Sequence, residues 1–218
     1  MVGGNEDYLN PAVIYVSEDG SAGFERCQTE KYERREIAVG DFLDDKLVVC
    51  GGKGNVKKND CEVLDETGTQ KFKMLANGRR RASSIKLNQS SMLITGGYDS
   101  DYHDLKSTEF ITVNGPTVGV NLPFTVYGHC MIQYQEDAII LIGGEQEGKS
   151  NSDKTWIIDP TNGFNITEGP SLKEGRSRHF CGKMKDEYGN VLVIVAGGYQ
   201  INSVEVLNTT LMKEWVKG

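Results

Sequence analysis

Three histidines, five cysteines and a run of three arginines are the residues here best suited to chemistry. His103 stands in Tyr98-Asp99-Ser100-Asp101-Tyr102-His103-Asp104, whose carboxylates suit calcium but lack the glycine and terminal glutamate of an EF-hand loop. A solvated loop is expected there. His129 and His179 sit at matching points of Gly128-His129-Cys130 and Arg178-His179-Phe180-Cys181. A residue placed by a repeat serves structure more often than catalysis, and metal ligands would have to converge from separate repeats. No Gly-X-Ser-X-Gly elbow, P-loop or His-Glu-X-X-His occurs. The expectation is therefore a chain with no catalytic, metal or cofactor site and no enzymatic activity.

The cysteines are Cys27, Cys50, Cys61, Cys130 and Cys181, and no pair has CxxC spacing. Cys50 and Cys61 fall on consecutive strands, so a local bridge between them is geometrically feasible. Cys130 and Cys181 fall at nearly equivalent strand entrances. Asn-X-Ser/Thr sequons occur at Asn88, Asn165 and Asn208.

Positioning all of these is a repeat. Leu47-Val48-Val49-Cys50, Met92-Leu93-Ile94-Thr95, Ile139-Ile140-Leu141-Ile142 and Val193-Ile194-Val195-Ala196 each run into a glycine pair, and Gly3-Gly4 follows Val2 in the same way. The pairs Gly3-Gly4, Gly51-Gly52, Gly96-Gly97, Gly143-Gly144 and Gly197-Gly198 stand 48, 45, 47 and 54 residues apart. That period suits one four-stranded propeller blade per repeat. Each short apolar run suits a strand buried on both faces. After each pair come a polar loop and a second strand, such as Cys61-Glu62-Val63-Leu64, Thr108-Glu109-Phe110-Ile111 or Val204-Glu205-Val206-Leu207. An aromatic follows at Phe24, Phe72, Phe164 and Trp215. Thr117 and Tyr127 break the pattern in the third interval.

The strand ending in Gly-Gly, the glutamate-bearing strand and the trailing Phe or Trp resemble the kelch repeat family, over nearly the whole chain. The resemblance implies an all-β, kelch-type β-propeller: a single repeat array over 1–218, with four complete repeats plus partial ones. Kelch propellers resemble closed rings of about five to seven blades, so the expectation is an incomplete ring or a fragment of a longer protein. The cysteine-bearing repeats resemble those of secreted invertebrate kelch proteins. With the sequons, they imply an extracellular, disulfide-bonded glycoprotein, a cytoplasmic location being the alternative.

On a propeller, Arg35 and Arg80, each 16 residues before a glycine pair, point to similar places in adjacent blades, and Arg178 stands near the equivalent entrance. They could line the mouth of the central channel and receive an acidic partner. The competing reading pairs such arginines with Glu62, Glu109 and Glu205. The candidate binding residues are Arg35, Arg80, Tyr127, Arg178, His129 and His179, with the loops 98–106 and 145–154. The expected function is a protein-interaction scaffold. The alternative is part of a metal-dependent propeller resembling galactose oxidase, or a carbohydrate-binding one.

Composition bounds the rest. Hydrophobic content of 38% and 26 glycines against 5 prolines suit many short strands joined by tight turns. A formal charge of −7 offers no footprint for nucleic acid. No run approaches the roughly 18 apolar residues that span a bilayer, and residues 1–4 carry no signal-peptide pattern.

Overall fold

The computed structural model describes residues 38–52, 59–65 and 68–218, with backbone alone at 64–65 and 68–71 and in two short strands, β1 (Ile14–Val16) and β2 (Glu25–Cys27), which pair with each other. The remainder is four antiparallel four-stranded sheets and one short two-stranded sheet, with no helix among the described residues. Blade 1 is β3 (Val39–Leu43), β4 (Lys46–Cys50), β5 (Cys61–Asp65) and β6 (Gly68–Lys71). Blade 2 is β7 (Ser83–Asn88), β8 (Ser91–Thr95), β9 (Thr108–Thr112) and β10 (Gly115–Val118). A two-residue strand, β11 (Val126–Tyr127), precedes blade 3, which is β12 (Cys130–Gln135), β13 (Ala138–Ile142), β15 (Thr155–Asp159) and β16 (Asn165–Glu168). Strand β14 (Glu145–Gln146) pairs with β11. Blade 4 is β17 (Phe180–Lys185), β18 (Val191–Ala196), β19 (Val204–Asn208) and β20 (Val216–Lys217).

Within every blade the strands lie in chain order, and neighbouring blades meet through their first strands, β3 on β7, β7 on β12 and β12 on β17. First strands therefore line the axis of a β-propeller. The apolar second strand β13 has a blade on each side and is fully buried from Ala138 to Ile142, whereas β18 of blade 4 is fully buried only at Val193 and Val195. Three core clusters fill the three seams. Leu43, Val48, Met92 and Ile94 join blades 1 and 2. Met131, Ile139, Leu141, Ile85 and Leu87 join blades 2 and 3. Ile140, Ile142, Val193, Val195 and Trp215 join blades 3 and 4.

The expected trailing aromatics divide. Trp215 is fully buried and donates its indole N–H to the Pro170 carbonyl at 2.9 Å, while Phe164 packs edge-on against Phe110. Thr117 lies exposed on β10, and Phe24 lies outside the described residues. A leucine does the repeated work instead. Leu75, Leu122 and Leu172 are buried in successive seams, and each donates its N–H to the loop before a third strand.

The glycine pairs are the joints. Gly52, Gly97 and Gly144 donate N–H to the carbonyls of Arg79, Val126 and Arg176, in the segment leading into the next blade, each at 2.8 Å. Gly96 takes φ +58°, and a Cβ on it would overlap the Val126 carbonyl oxygen. An L-residue is disfavoured there twice, by conformation and by space. Disulfides Cys50–Cys61, within blade 1, and Cys130–Cys181, between the axial strands of blades 3 and 4, add covalent ties.

Because strands alternate in direction, the blade has two distinct ends. First-to-second and third-to-fourth connections lie at one, the turn end. Second-to-third loops and blade-to-blade linkers gather at the other, the loop end.

Candidate functional site

The linkers set the loop end. Arg79, Val126 and Arg176 each stand four residues before a first strand, and all three are buried. Arg79 donates to the carbonyls of Gly96 and Ser107 and pairs with Glu109 at 2.7 Å; Arg176 does the same with Gly197, Ser203 and Glu205. Each glutamate also accepts two linker N–H groups, from Ala76 and Asn77 or from Lys173 and Glu174. Burial pulls the Arg79 guanidinium below its ordinary pKa, and the Glu109 carboxylate opposes that pull. Pairing with the glutamates of the third strands is thus realised by Arg79 and Arg176; Arg178 pairs with Glu145 instead. Arg35 lies outside the described residues.

In blade 3 the same framework is apolar. Val126 replaces the arginine, Trp156 the glutamate, and Pro123, which has no N–H, stands where Ala76 donates one. Phe124 stacks on Trp156 with ring centroids 4.5 Å apart. Gln146 supplies the lost donor, reaching the Gly143 carbonyl at 2.7 Å.

The next residues along each linker face the loop end. Arg81, Gly128 and Arg178 share a positive φ of 54–63° and form a backbone chain between blades: Gly128 N–H donates to Arg81 O, and Arg178 N–H to Gly128 O. Around this collar the side chains interlock. Arg80 lies 4.7 Å from the ring centroids of both Tyr98 and Tyr102, and Arg81 lies 6.0 Å from that of Tyr98. Tyr127 meets Tyr98 edge-on and donates its hydroxyl to Glu145 Oε2 at 2.5 Å. Arg178 pairs with Glu145 Oε1 at 2.8 Å and covers Tyr199 at 4.9 Å. Burial and the Glu145 hydrogen bond push the Tyr127 phenol up to about 12, and burial with Glu145 raises Asp104.

Glu145 is therefore committed to two partners. Among the described residues, Arg80 and Arg81 form no ion pair. Arg80 is 5% exposed, and its Nε has no hydrogen-bond acceptor. Exposed Tyr102 flanks the pair, and half-exposed Tyr199 lies under Arg178.

His129 and His179 occupy the seams below the collar, each ring lying against the glycine pair of the preceding blade, at Gly96 and Gly143. His129 Nε2 is 2.7 Å from Thr95 Oγ1, while the position matching Thr95 in blade 3 is Ile142, so His179 has no partner on either nitrogen. Burial holds His129 down to about 3, aided by His179, and His179 down to about 4, aided by Arg176. The geometry thus separates the candidates: Arg80, Tyr127 and Arg178 share the loop end, and the histidines belong to the seams. Tyr98 and Tyr102 lie in the candidate loop 98–106, whereas Tyr199 lies outside every sequence candidate, though it too directly follows a glycine pair.

Asp99, Asp101 and His103 bring ligand-type atoms within 4.8 Å of one another. The Asp99 carboxylate already accepts the N–H groups of His103 and Asp101, which hold it below the usual carboxylate range. It closes the loop, as expected for a solvated turn.

No protein-family model matches this chain, and no curated protein matches it. Among solved structures 184 chains match. The structure of YjhT superposes with a TM-score of 0.76 at 15% identity, over 94% of this chain and 77% of that one. At such identity the likeness is one of fold, and with the blade order it supports a kelch-like β-propeller.

Proposed function

We propose that the chain is a non-catalytic protein-interaction scaffold, a single kelch repeat array whose loop end receives an acidic segment of a partner. The observation that supports this most directly is the Arg80–Arg81 pair, two guanidinium groups that form no ion pair among the described residues, held against Tyr98 and beside exposed Tyr102. Arginine and tyrosine supply much of the binding energy in protein interfaces, and a guanidinium receives a carboxylate through two parallel N–H bonds. The framework beneath is rigid, while the loops above differ from blade to blade. Two disulfides accord with an extracellular setting. Among the described residues no helix is long and apolar enough to cross a membrane.

The test is affinity capture from the source organism's extract by the full chain, by a loop-end variant (Arg81→Gln with Tyr102→Ala) and by a turn-end variant (Tyr188→Ala). A partner retained by the turn-end variant, weakened at least tenfold by the loop-end variant and released by salt is the expected result. Equal capture by all three would overturn the assignment.

A further inference from the structure

The three sequons stand 77 and 43 residues apart in the sequence, and the fold brings them to one end of the propeller. Asn88 ends β7 in a first-to-second turn of blade 2. Asn165 opens β16 after a third-to-fourth turn of blade 3, and Asn208 closes β19 before the corresponding turn of blade 4. All three are therefore at the turn end, opposite the collar. Asn88 and Asn165 are exposed and Asn208 is half-buried. Where a side-chain oxygen is engaged, at Asn88 and Asn208, it accepts N–H groups of its own turn. No hydrogen bond claims the Nδ2 of any of the three. The loop end carries asparagines too, at 77, 121, 151 and 202, and none of those stands in a sequon.

We infer that Asn88, Asn165 and Asn208 are N-glycosylation sites that cover one end of the propeller and leave the loop end bare. The inference rests on the extracellular reading above. The donor is an oligosaccharide linked to a lipid pyrophosphate. The bond from the sugar C1 to the pyrophosphate oxygen breaks, a bond from C1 to asparagine Nδ2 forms, and the displaced amide proton leaves with the lipid pyrophosphate. A bulky hydrophilic cover is compatible with these turns because their backbone already faces solvent.

The experiment is site mapping of the chain secreted by eukaryotic cells, using peptide-N-glycosidase in heavy-oxygen water to tag each occupied asparagine. Tags at all three positions are expected, and a mass that falls by one glycan in each Asn→Gln variant. Absence of tags at all three overturns the proposal. Enzymatic deglycosylation, which needs no substitution, is expected to leave partner capture unchanged. A new sequon on the loop end, made by Tyr102→Asn with Asp104→Thr, is expected to abolish capture once glycosylated. Capture that is lost on deglycosylation, or that survives a glycan at position 102, overturns the claim that the bare end is the binding end. Unoccupied sequons with intact loop-end capture would remove this inference and leave the binding assignment standing.

Discussion

The buried pair Arg79–Glu109 should behave as a coupled unit, and a double-mutant cycle reads this directly. Arg79→Met leaves the Glu109 carboxylate buried with only the Ala76 and Asn77 N–H groups, and strips a donor from the Gly96 and Ser107 carbonyls. Glu109→Leu leaves a buried guanidinium whose charge has lost its partner at 2.7 Å. Breaking one side of a buried pair costs about 3–5 kcal/mol, so two independent losses would sum to about 6–10 kcal/mol. A domain's whole stability is about 5–15 kcal/mol. The double variant removes both charges together, so its main remaining cost is the backbone groups left unpaired, the Gly96 carbonyl and the Ala76 and Asn77 N–H groups, at about 1–3 kcal/mol each. It should therefore lose clearly less than the two single costs summed, with a coupling energy of a few kcal/mol. Equilibrium urea unfolding, followed by Trp156 and Trp215 fluorescence, measures all four corners. Additivity within about 0.5 kcal/mol would refute the reasoning and demote the pair to a packing contact.

Acid should loosen the seams. His129 and His179 titrate near 3 and 4 in the fold, below the unfolded value of about 6.5, so the unfolded chain takes up protons first as pH falls. Stability is full above pH 6.5 and falls by about 2 kcal/mol per histidine between pH 7 and 5. His179→Leu should flatten half of that slope in urea titrations, and an unchanged slope would contradict it. The glycine joints should differ along the array. Gly96→Ala meets the Val126 carbonyl oxygen at φ +58°, whereas Gly197→Ala at φ +64° finds only Ile201 O at 3.7 Å. The second should cost about 1–2 kcal/mol for conformation alone and the first clearly more, and equal thermal shifts would refute the joint.

Strand placement was legible because a run such as Ile139–Ile142 admits few readings once it recurs before a glycine pair at blade spacing. The register of the arginines was not. Counting back from the glycines aligns Arg35 with Arg80, but the β7–β8 hairpin carries a bulge between Lys86 and Asn88 that β3–β4 lacks. Counting instead from the first strands puts Arg35 four residues before Val39, as Arg79 is before Ser83. One bulged residue thus shifts the sequence match of Arg35 from Arg80 to Arg79. Nor could sequence see that Val126, Pro123, Trp156 and Gln146 together replace an ionic network, since the four are joined only by the fold.

That replacement explains where variation is tolerated. The position of Arg79, Val126 and Arg176 is sealed inside the framework, so each blade must solve its polar accounting completely, as an ion pair or as an apolar stack. The residue after it differs by blade: Arg80 and Ser177 are buried and Tyr127 half-buried, yet none of their side chains takes part in the Arg–Glu framework or its apolar substitute. Neither does the left-handed position of Arg81, Gly128 and Arg178, whose backbone bond to the neighbouring blade is made whatever the side chain. Recognition chemistry can therefore change at these two positions without disturbing the joint beneath. The arginine and tyrosine gathered there engage one another and Glu145 instead, because the Arg79, Val126 and Arg176 positions have taken on the joint.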